Sequence, residues 1–353
     1  LALGCAMKEP EQQREVGPWI FDDAHVILDT RSPGEFENGH ISGATCFPLF
    51  ENDERAVIGT LYKQQGKDIA VEKGLEFVGP KMAEFVRQAK QLFEEQPTQN
   101  PLVVHCWRGG MRSGAVAWLL ETSGVPVVKL IGGYKAYRAW ARSDFKQLTN
   151  LHVLGGMTGV GKTRILHAMH AQGAQVVDLE GIAGHLGSAF GNLERIPQPS
   201  SEQFSNACHR AIQECDWNRP IWMENESRVI GKVYLPEDLF DTLRVAPVWA
   251  VERTEEERLD ELCLVYGDAK LEALKDAFGR IREKLGGALC RDAIQALDQG
   301  DLRAAAAIGL VYYDKLYKHT QERYARATLT PVDGRGISLD DIAQRLIADT
   351  QSA

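Results

Sequence analysis

Two stretches of the chain share one hydrophobic pattern: a short apolar run of β type, a glycine-rich turn, and then apolar positions at helical spacing. The first runs from Pro101 to His105, turns through Cys106 to Met111, and continues as a helix from about Arg112 to Glu121. The second runs from Leu151 to Leu154, turns through Gly155 to Gly161, and continues as a helix from about Lys162 to His170. Each predicts a strand–turn–helix unit of an α/β fold. Further on the pattern becomes mainly helical. Thr254 with Glu257 forms a capping box for a helix starting near Glu255. Leu271, Leu274, Phe278, Ile281 and Leu285 make an apolar stripe at helical spacing, which predicts core packing. The run Ala304 to Ala307 is read as lying inside a helix, and no internal repeat is visible. The longest apolar runs, Ala115 to Leu120 and Val245 to Val251, fall far short of the roughly 18 residues that a membrane-spanning helix needs.

A chain of 353 residues suggests two domains at about 150 residues each. Gly132-Gly133-Tyr134 ends one unit and Phe145 to Asn150 is a short polar stretch, so the boundary is expected near residue 148. The expected organisation is an N-terminal tail over 1–15, a first α/β domain over 16–147, a second over 148–252, and a helical region over 253–353 that completes the second. Charged residues at 25% and hydrophobic residues at 44% fit a globular protein and exclude disorder, collagen-like and coiled-coil classes. Seven cysteines without any C-x-x-C pair argue against a zinc ribbon or a disulfide framework, and a reducing cytoplasm is the expected compartment. The apolar start, Leu1 to Met7, lacks the basic residues and the length of a signal peptide.

The net charge of −9 gives no whole-chain footprint for nucleic acid. Locally the balance reverses. Arg108, Arg112, Lys129, Lys135, Arg138, Arg142 and Lys146 face only Glu121 and Asp144 between residues 108 and 146, a surplus of +5. Lys135, Arg138 and Arg142 are the candidates for holding a polyanion, against the simpler reading of a solvated helix face.

The turn His105-Cys106-Trp107-Arg108-Gly109-Gly110-Met111-Arg112-Ser113 connects a buried strand to a helix. Such a turn aims successive N–H groups into one concavity at the positive end of the helix. With Arg108 and Arg112 beside it, Cys106 is expected to ionise at neutral pH and act as a nucleophile facing an anion. H-C-x5-R-S fits both a cysteine phosphatase and a rhodanese-type transferase. Upstream, Asp29-Thr30-Arg31-Ser32-Pro33-Gly34-Glu35-Phe36 and Gly39-His40-Ile41-Ser42-Gly43-Ala44 resemble the N-terminal signature of the rhodanese fold, a fold that some dual-specificity phosphatases share. Asp29, Arg31, Glu35 and His40 are read as framework residues.

Gly156-Met157-Thr158-Gly159-Val160-Gly161-Lys162-Thr163 matches G-x-x-x-x-G-K-[ST] between strand and helix, the phosphate-loop pattern. Its N–H groups, with Gly156, Thr158, Gly159 and Gly161 shaping the loop, would cradle a di- or triphosphate. Lys162 would neutralise phosphate oxygens and Thr163 could ligate Mg²⁺. Cleft carboxylates and polar groups are expected from Asp178, Glu180, His185 and Ser188, and from Glu224, Glu226, Ser227 and Arg228. Glutamates stand where an aspartate is usual, and no guanine-selecting N-K-x-D is present. Both features weaken a simple ATPase or GTPase reading.

The pairing of a rhodanese-type domain with a phosphate-loop domain resembles the tRNA 2-selenouridine synthase family over nearly the whole chain. The resemblance also rests on Asn52-Asp53-Glu54-Arg55, Tyr62-Lys63-Gln64-Gln65-Gly66, Gly132-Gly133-Tyr134-Lys135, Asp178-Leu179-Glu180-Gly181, Gly187-Ser188-Ala189-Phe190-Gly191, Glu226-Ser227-Arg228 and Tyr312-Tyr313-Asp314. Leu186 and Asn225 depart from the arginine and aspartate usual there. The resemblance implies a rhodanese-like three-layer domain ahead of a P-loop NTPase-like parallel sheet. It implies a transferase that turns a wobble 2-thiouridine of tRNA into 2-selenouridine through an S-geranyl intermediate. Geranyl diphosphate and selenophosphate would be substrates, with no tightly bound cofactor and no membrane partner. The other readings are a rhodanese-fold cysteine phosphatase and a nucleotide-switched RNA-binding module.

Overall fold

The computed structural model describes residues 12–21, 25–185, 190, 197–323 and 328–351. The chain divides into two compact units between Ser143 and Asp144.

In the first unit, strands β1 (Gln12–Arg14), β2 (Ile27–Asp29), β3 (Ala44–Cys46), β4 (Leu102–His105) and β5 (Val127–Leu130) form one sheet in the order β1-β5-β4-β2-β3. Every pairing is parallel. A parallel sheet is covered on both faces, so its strands read as unbroken apolar runs rather than alternating ones. Helices α1 (Pro33–Asn38), α2 (Asn52–Gln64), α3 (Lys67–Val78), α4 (Met82–Glu95) and α5 (Met111–Thr122) connect the strands, and α6 (Gly133–Gln147) follows β5 and continues past Ser143. Leu28, Leu102 and Val104 pack with Phe85 and Ala89 of α4 and with Val116, Ala117 and Leu120 of α5. The alternate strand residues Ile27, Val103 and Leu130 pack with Tyr134 and Tyr137 of α6. β1 falls inside the stretch expected as a tail, where its three polar residues gave no apolar signal.

The second unit holds a parallel sheet of β6 (Leu151–Gly156), β7 (Gln175–Val176), β8 (Ile221–Glu224), β11 (Val248–Glu252) and β12 (Leu329–Asp333), in the order β12-β11-β6-β8-β7. An antiparallel hairpin, β9 (Val229–Ile230) with β10 (Val233–Tyr234), turns at Gly231. The helices are α7 (Lys162–Ala171), α8 (Leu179–Ala183), α9 (Ser201–Gln213), α10 (Glu237–Val245), α11 (Glu255–Tyr266), α12 (Leu271–Leu285), α13 (Gly287–Asp298), α14 (Leu302–Arg323) and α15 (Leu339–Gln351). Leu154, Ile165, Leu166, Met169, Val251, Val332, Ile342 and Leu346 share one core between the sheet, α7 and α15.

The capping box of Thr254 and Glu257 starts α11 as the sequence predicts. Of the predicted stripe, Leu274, Phe278, Ile281 and Leu285 are buried against α13 and α14, whereas Leu271, at the first position of α12, is 40% exposed. The helical C-terminal region also supplies a strand, β12. Pro331 within it has no N–H to donate, which an edge position tolerates. Among the described residues no helix is long and apolar enough to cross a membrane.

Candidate functional site

Cys106 follows the last residue of β4 and sits at the bottom of the turn into α5, only 4% exposed. The turn is held by two backbone bonds: the N–H of Tyr134 donates to the Cys106 carbonyl and that of Lys135 to the Trp107 carbonyl, both at 2.9 Å. Glycine is required on both sides of this contact. Gly109 and Gly133 have φ of +65° and +58°, and a β-carbon on Gly133 would collide with the Cys106 carbonyl oxygen and lie 2.5 Å from the Gly109 nitrogen.

Burial pushes the Cys106 thiol up. The Ser113 hydroxyl, the N–H groups of Ser113 and Arg108, and the charge of Arg112 outweigh it and bring the thiol below its ordinary pKa. Ser113 Oγ lies 3.3 Å from Sγ and 3.2 Å from the Gly110 carbonyl, so its one proton serves either. Arg112 is less available than the sequence suggests: it donates to Glu35 through Nη1 at 2.6 Å and through Nη2 at 3.3 Å. Although burial raises it, Glu35 is held down at about 2 by Arg112, the Ser32 N–H and Arg55. Arg108 is exposed at the mouth of the turn.

Beneath the turn, Arg31 donates to Asp29 at 2.6 Å and to the Gly39 carbonyl at 2.6 Å, and its guanidinium lies 3.8 Å over the Tyr134 ring. His105 stands 3.7 Å from the same Asp29 carboxylate, and burial lowers its pKa. His40 bonds the Phe36 carbonyl at 2.9 Å and stacks on that residue's ring. These contacts are internal and fix the shape of the floor.

The surplus of positive charge between residues 108 and 146 is smaller than its count. Arg112 is committed to Glu35, and Lys146 pairs with Asp238 at 3.2 Å; both carboxylates lie outside the segment. Lys135, Arg138 and Arg142 share one face of α6 at spacings of three and four, with Lys135 and Arg142 exposed and Arg138 partly so.

In the second unit, β6 runs into the phosphate loop and Gly161, in the left-handed region at φ +85°, starts α7. Gly159 also has φ +84°, and a β-carbon there would lie 2.8 Å from the Arg258 carbonyl. Arg258, buried on α11, donates through Nε to the Thr158 carbonyl at 2.8 Å, and its guanidinium is bound bidentately by Asp314 of α14. The loop is therefore braced from behind by an ion pair that composition alone could not assign.

Thr163 Oγ1 donates to Glu180 at 2.8 Å. Asp178 caps α8, accepting from the Gly181 N–H at 2.7 Å, and lies 2.9 Å from Nε2 of His167. Burial and the neighbouring Asp178 and Glu180 charges push Glu224 well above the ordinary carboxyl range, and Glu224 accepts the Leu179 N–H at 2.9 Å. Burial and Glu180 likewise raise Glu226 to about 8, against the pull of Lys162. Asp178, Glu180, Glu224, Glu226, Lys162 and Thr163 thus form one cluster, in which burial and neighbouring carboxylates shift both Glu224 and Glu226 toward their protonated forms. Such a cleft can accept an anion without full like-charge repulsion. Among the described residues no group of three or more histidines, cysteines and carboxylates is arranged to hold a metal ion.

Other predicted residues stand elsewhere. The Ser227 hydroxyl donates to the Val229 carbonyl at 2.7 Å, and the exposed Arg228 gives its carbonyl to the Leu235 N–H. His185 lies against the Gly231 turn, with its pKa lowered by burial and Arg280. Ser188, with Leu186 and Gly187, is outside the described residues.

Residues 13–139 match the Rhodanese-like domain and residues 149–292 match the tRNA 2-selenouridine synthase AAA domain. A tRNA 2-selenouridine synthase of Hydrogenovibrio crunogenus is 34% identical over 293 residues, 77% of this chain and 79% of the relative. The chain belongs to the tRNA 2-selenouridine synthase family. Another member of the family, from Nitrosomonas europaea, is 35% identical over 245 residues, 67% of this chain and 62% of its own length. A crystal structure of the N-terminal domain of a Clostridium difficile 630 protein is 40% identical over 36% of this chain and 98% of its own, with a TM-score of 0.35. In this member of the family, the rhodanese match contains the Cys106 turn and the AAA match contains the phosphate loop, its carboxyl cluster and Arg258.

Proposed function

We propose that the chain converts a wobble 2-thiouridine of tRNA into 2-selenouridine in two reactions, with S-geranyl-2-thiouridine between them. What carries the reading is the presence, in one member of this family, of two differently built anion sites: a turn bearing a cysteine of lowered pKa and a lysine-bearing phosphate loop.

In the first reaction the thiocarbonyl sulfur attacks C1 of geranyl diphosphate. The C–S bond forms as the C1–O bond breaks, diphosphate departs, and the base loses its N3 proton. The N–H groups of the loop and Lys162 stabilise the charge that develops on diphosphate. Glu226, which keeps its proton up to about 8, and Glu224, shifted in the same direction, lessen the cleft's opposition to that charge. Should Mg²⁺ accompany the diphosphate, Thr163 and Glu180 are the oxygen donors beside it, and its part would be to neutralise the leaving group.

In the second reaction selenium from selenophosphate bonds to C2 and geranylthiol leaves. Water cleaves the Se–P bond, giving 2-selenouridine and phosphate. Cys106 stands at the turn where selenophosphate is positioned for attack on C2, with Arg108 and Arg112 beside it. The cationic face of α6, carrying Lys135, Arg138 and Arg142, would hold tRNA phosphates, and the cytoplasm is the natural place of action. Nucleoside analysis of thiolated tRNA incubated with the full chain and both substrates tests the reading. S-geranyl-2-thiouridine should appear with geranyl diphosphate alone and 2-selenouridine once selenophosphate is added; absence of both with folded protein overturns it.

A further inference from the structure

The phosphate loop does not end in solvent on every side. Thr158 also forms part of the wall of a partly open apolar cavity lined by α11, α12 and α14. Leu262 and Tyr266 line it from α11, Leu274 and Phe278 from α12, and Leu302, Ala306, Gly309, Leu310 and Tyr313 from α14, with Phe190 alongside. Among the described residues the lining is hydrocarbon and aromatic apart from the Thr158 hydroxyl and two tyrosines. A nucleotide held by the same loop would bring a purine edge and a ribose that need hydrogen-bond partners. This wall offers almost none.

We propose that the cavity seats the hydrocarbon tail of the diphosphate ester, and that Ala306, Gly309 and Phe278 at its wall set how long that tail can be. The assignment rests on the reading of the phosphate loop as the diphosphate site and goes beyond it by naming the residues that measure chain length. An anion cradle that shares a residue with an apolar cavity suits an amphiphile with a charged head and an apolar tail. The cavity owes its space to small residues on one face of α14. Ala306 and Gly309 are one turn apart, between the larger Leu302 and Tyr313. Glycine inside a helix costs roughly 0.5–1 kcal/mol relative to alanine. At position 309 it leaves room beside the Phe278 ring, where an added β-carbon would stand 3.7 Å from the ring edge. A longer side chain there would fill the space the tail needs.

The test is a competition among dimethylallyl, geranyl and farnesyl diphosphates for transfer to thiolated tRNA by the full-length chain, read by nucleoside mass spectrometry. In Gly309→Leu, kcat/KM for geranyl should fall at least tenfold relative to dimethylallyl diphosphate. Phe278→Leu should do the opposite and raise farnesyl transfer relative to geranyl several-fold, a gain that partial unfolding cannot produce. Unchanged chain-length ratios in both variants, with the unaltered protein active, overturn the cavity assignment and leave the diphosphate site standing. An unaltered protein that transfers no prenyl group overturns the underlying reading and the cavity assignment with it.

Discussion

Arg112 Nη1 lies 2.6 Å from Glu35 Oε2, so a cation in the first turn of α5, next to the Cys106 turn, is bound to a carboxylate 77 positions earlier in the chain. The pair joins α1 to the start of α5 and holds in place the Arg112 charge that favours ionisation of Cys106. Glu35 keeps its charge down to about 2, below its ordinary 4.5. The stabilisation is therefore complete above about pH 4.5 and is lost as pH falls towards 2. Glu35→Gln should cost on the order of 2 kcal/mol at pH 7, a value reduced for the partial exposure of both side chains. Denaturation of both proteins between pH 7 and 3 should show the gap narrowing below about pH 5; a constant gap would refute the linkage.

Cys106→Ser should abolish selenium incorporation and leave geranyl transfer largely intact, because the two reactions use separate loops. Ser113→Ala should keep activity but raise the thiol pKa, because a hydrogen bond to the thiolate is lost. The pH dependence of Cys106 alkylation by iodoacetamide measures the shift. An unmoved midpoint would mean that the Ser113 proton stays on the Gly110 carbonyl.

Lys162→Ala should lower geranyl transfer about a hundredfold, equivalent to ~3 kcal/mol of leaving-group stabilisation, with little change in thermal unfolding. Normal transfer by the alanine variant would show that the diphosphate is held by other groups.

Glu226 retains its proton up to about 8, so raising pH through that value places a negative charge beside Lys162. Diphosphate affinity of the unaltered protein should weaken several-fold relative to Glu226→Gln between pH 7 and 9. Taking the ratio of the two proteins at each pH cancels the ionisation of diphosphate itself. A flat ratio in titration calorimetry would contradict the raised pKa.

Binding of tRNA should show a slope of roughly −2 to −4 in log affinity against log salt, from about three to four neutralised phosphates. Replacing Lys135, Arg138 and Arg142 together by Gln should weaken binding and flatten that slope while leaving geranyl diphosphate affinity unchanged. If slope and affinity both persist, tRNA is held by another surface.

Both strand–turn–helix units were legible because glycines stand between a short apolar run and a helical period, and the fold needs them there to bring N–H groups together. What escaped the sequence depends on distance or on mixed signals. Arg258 sits in a run of acidic residues that reads as a solvated helix, and its partners, the Thr158 carbonyl and Asp314, lie 100 and 56 positions away. β12 carries Pro331 and buries only Val332, so neither its propensity nor its periodicity marks a strand. The role of Glu35 was likewise hidden, since its partner is brought to it only by the parallel sheet.

The order in which the second unit is synthesised differs from the order in which it is completed. β12 pairs with β11 over five residues, and Ile342, Ala343 and Leu346 of α15 close the core behind the phosphate-loop helix. Leu329 leaves the ribosome 77 residues after Glu252, a delay of roughly 4–15 s at about 5–20 residues per second. Throughout that interval β11 is an open sheet edge and one side of α7 is bare, an arrangement that invites pairing with other chains. A fragment cut at residue 292, where the AAA match ends, would carry the whole phosphate loop and be left permanently in that unfinished state.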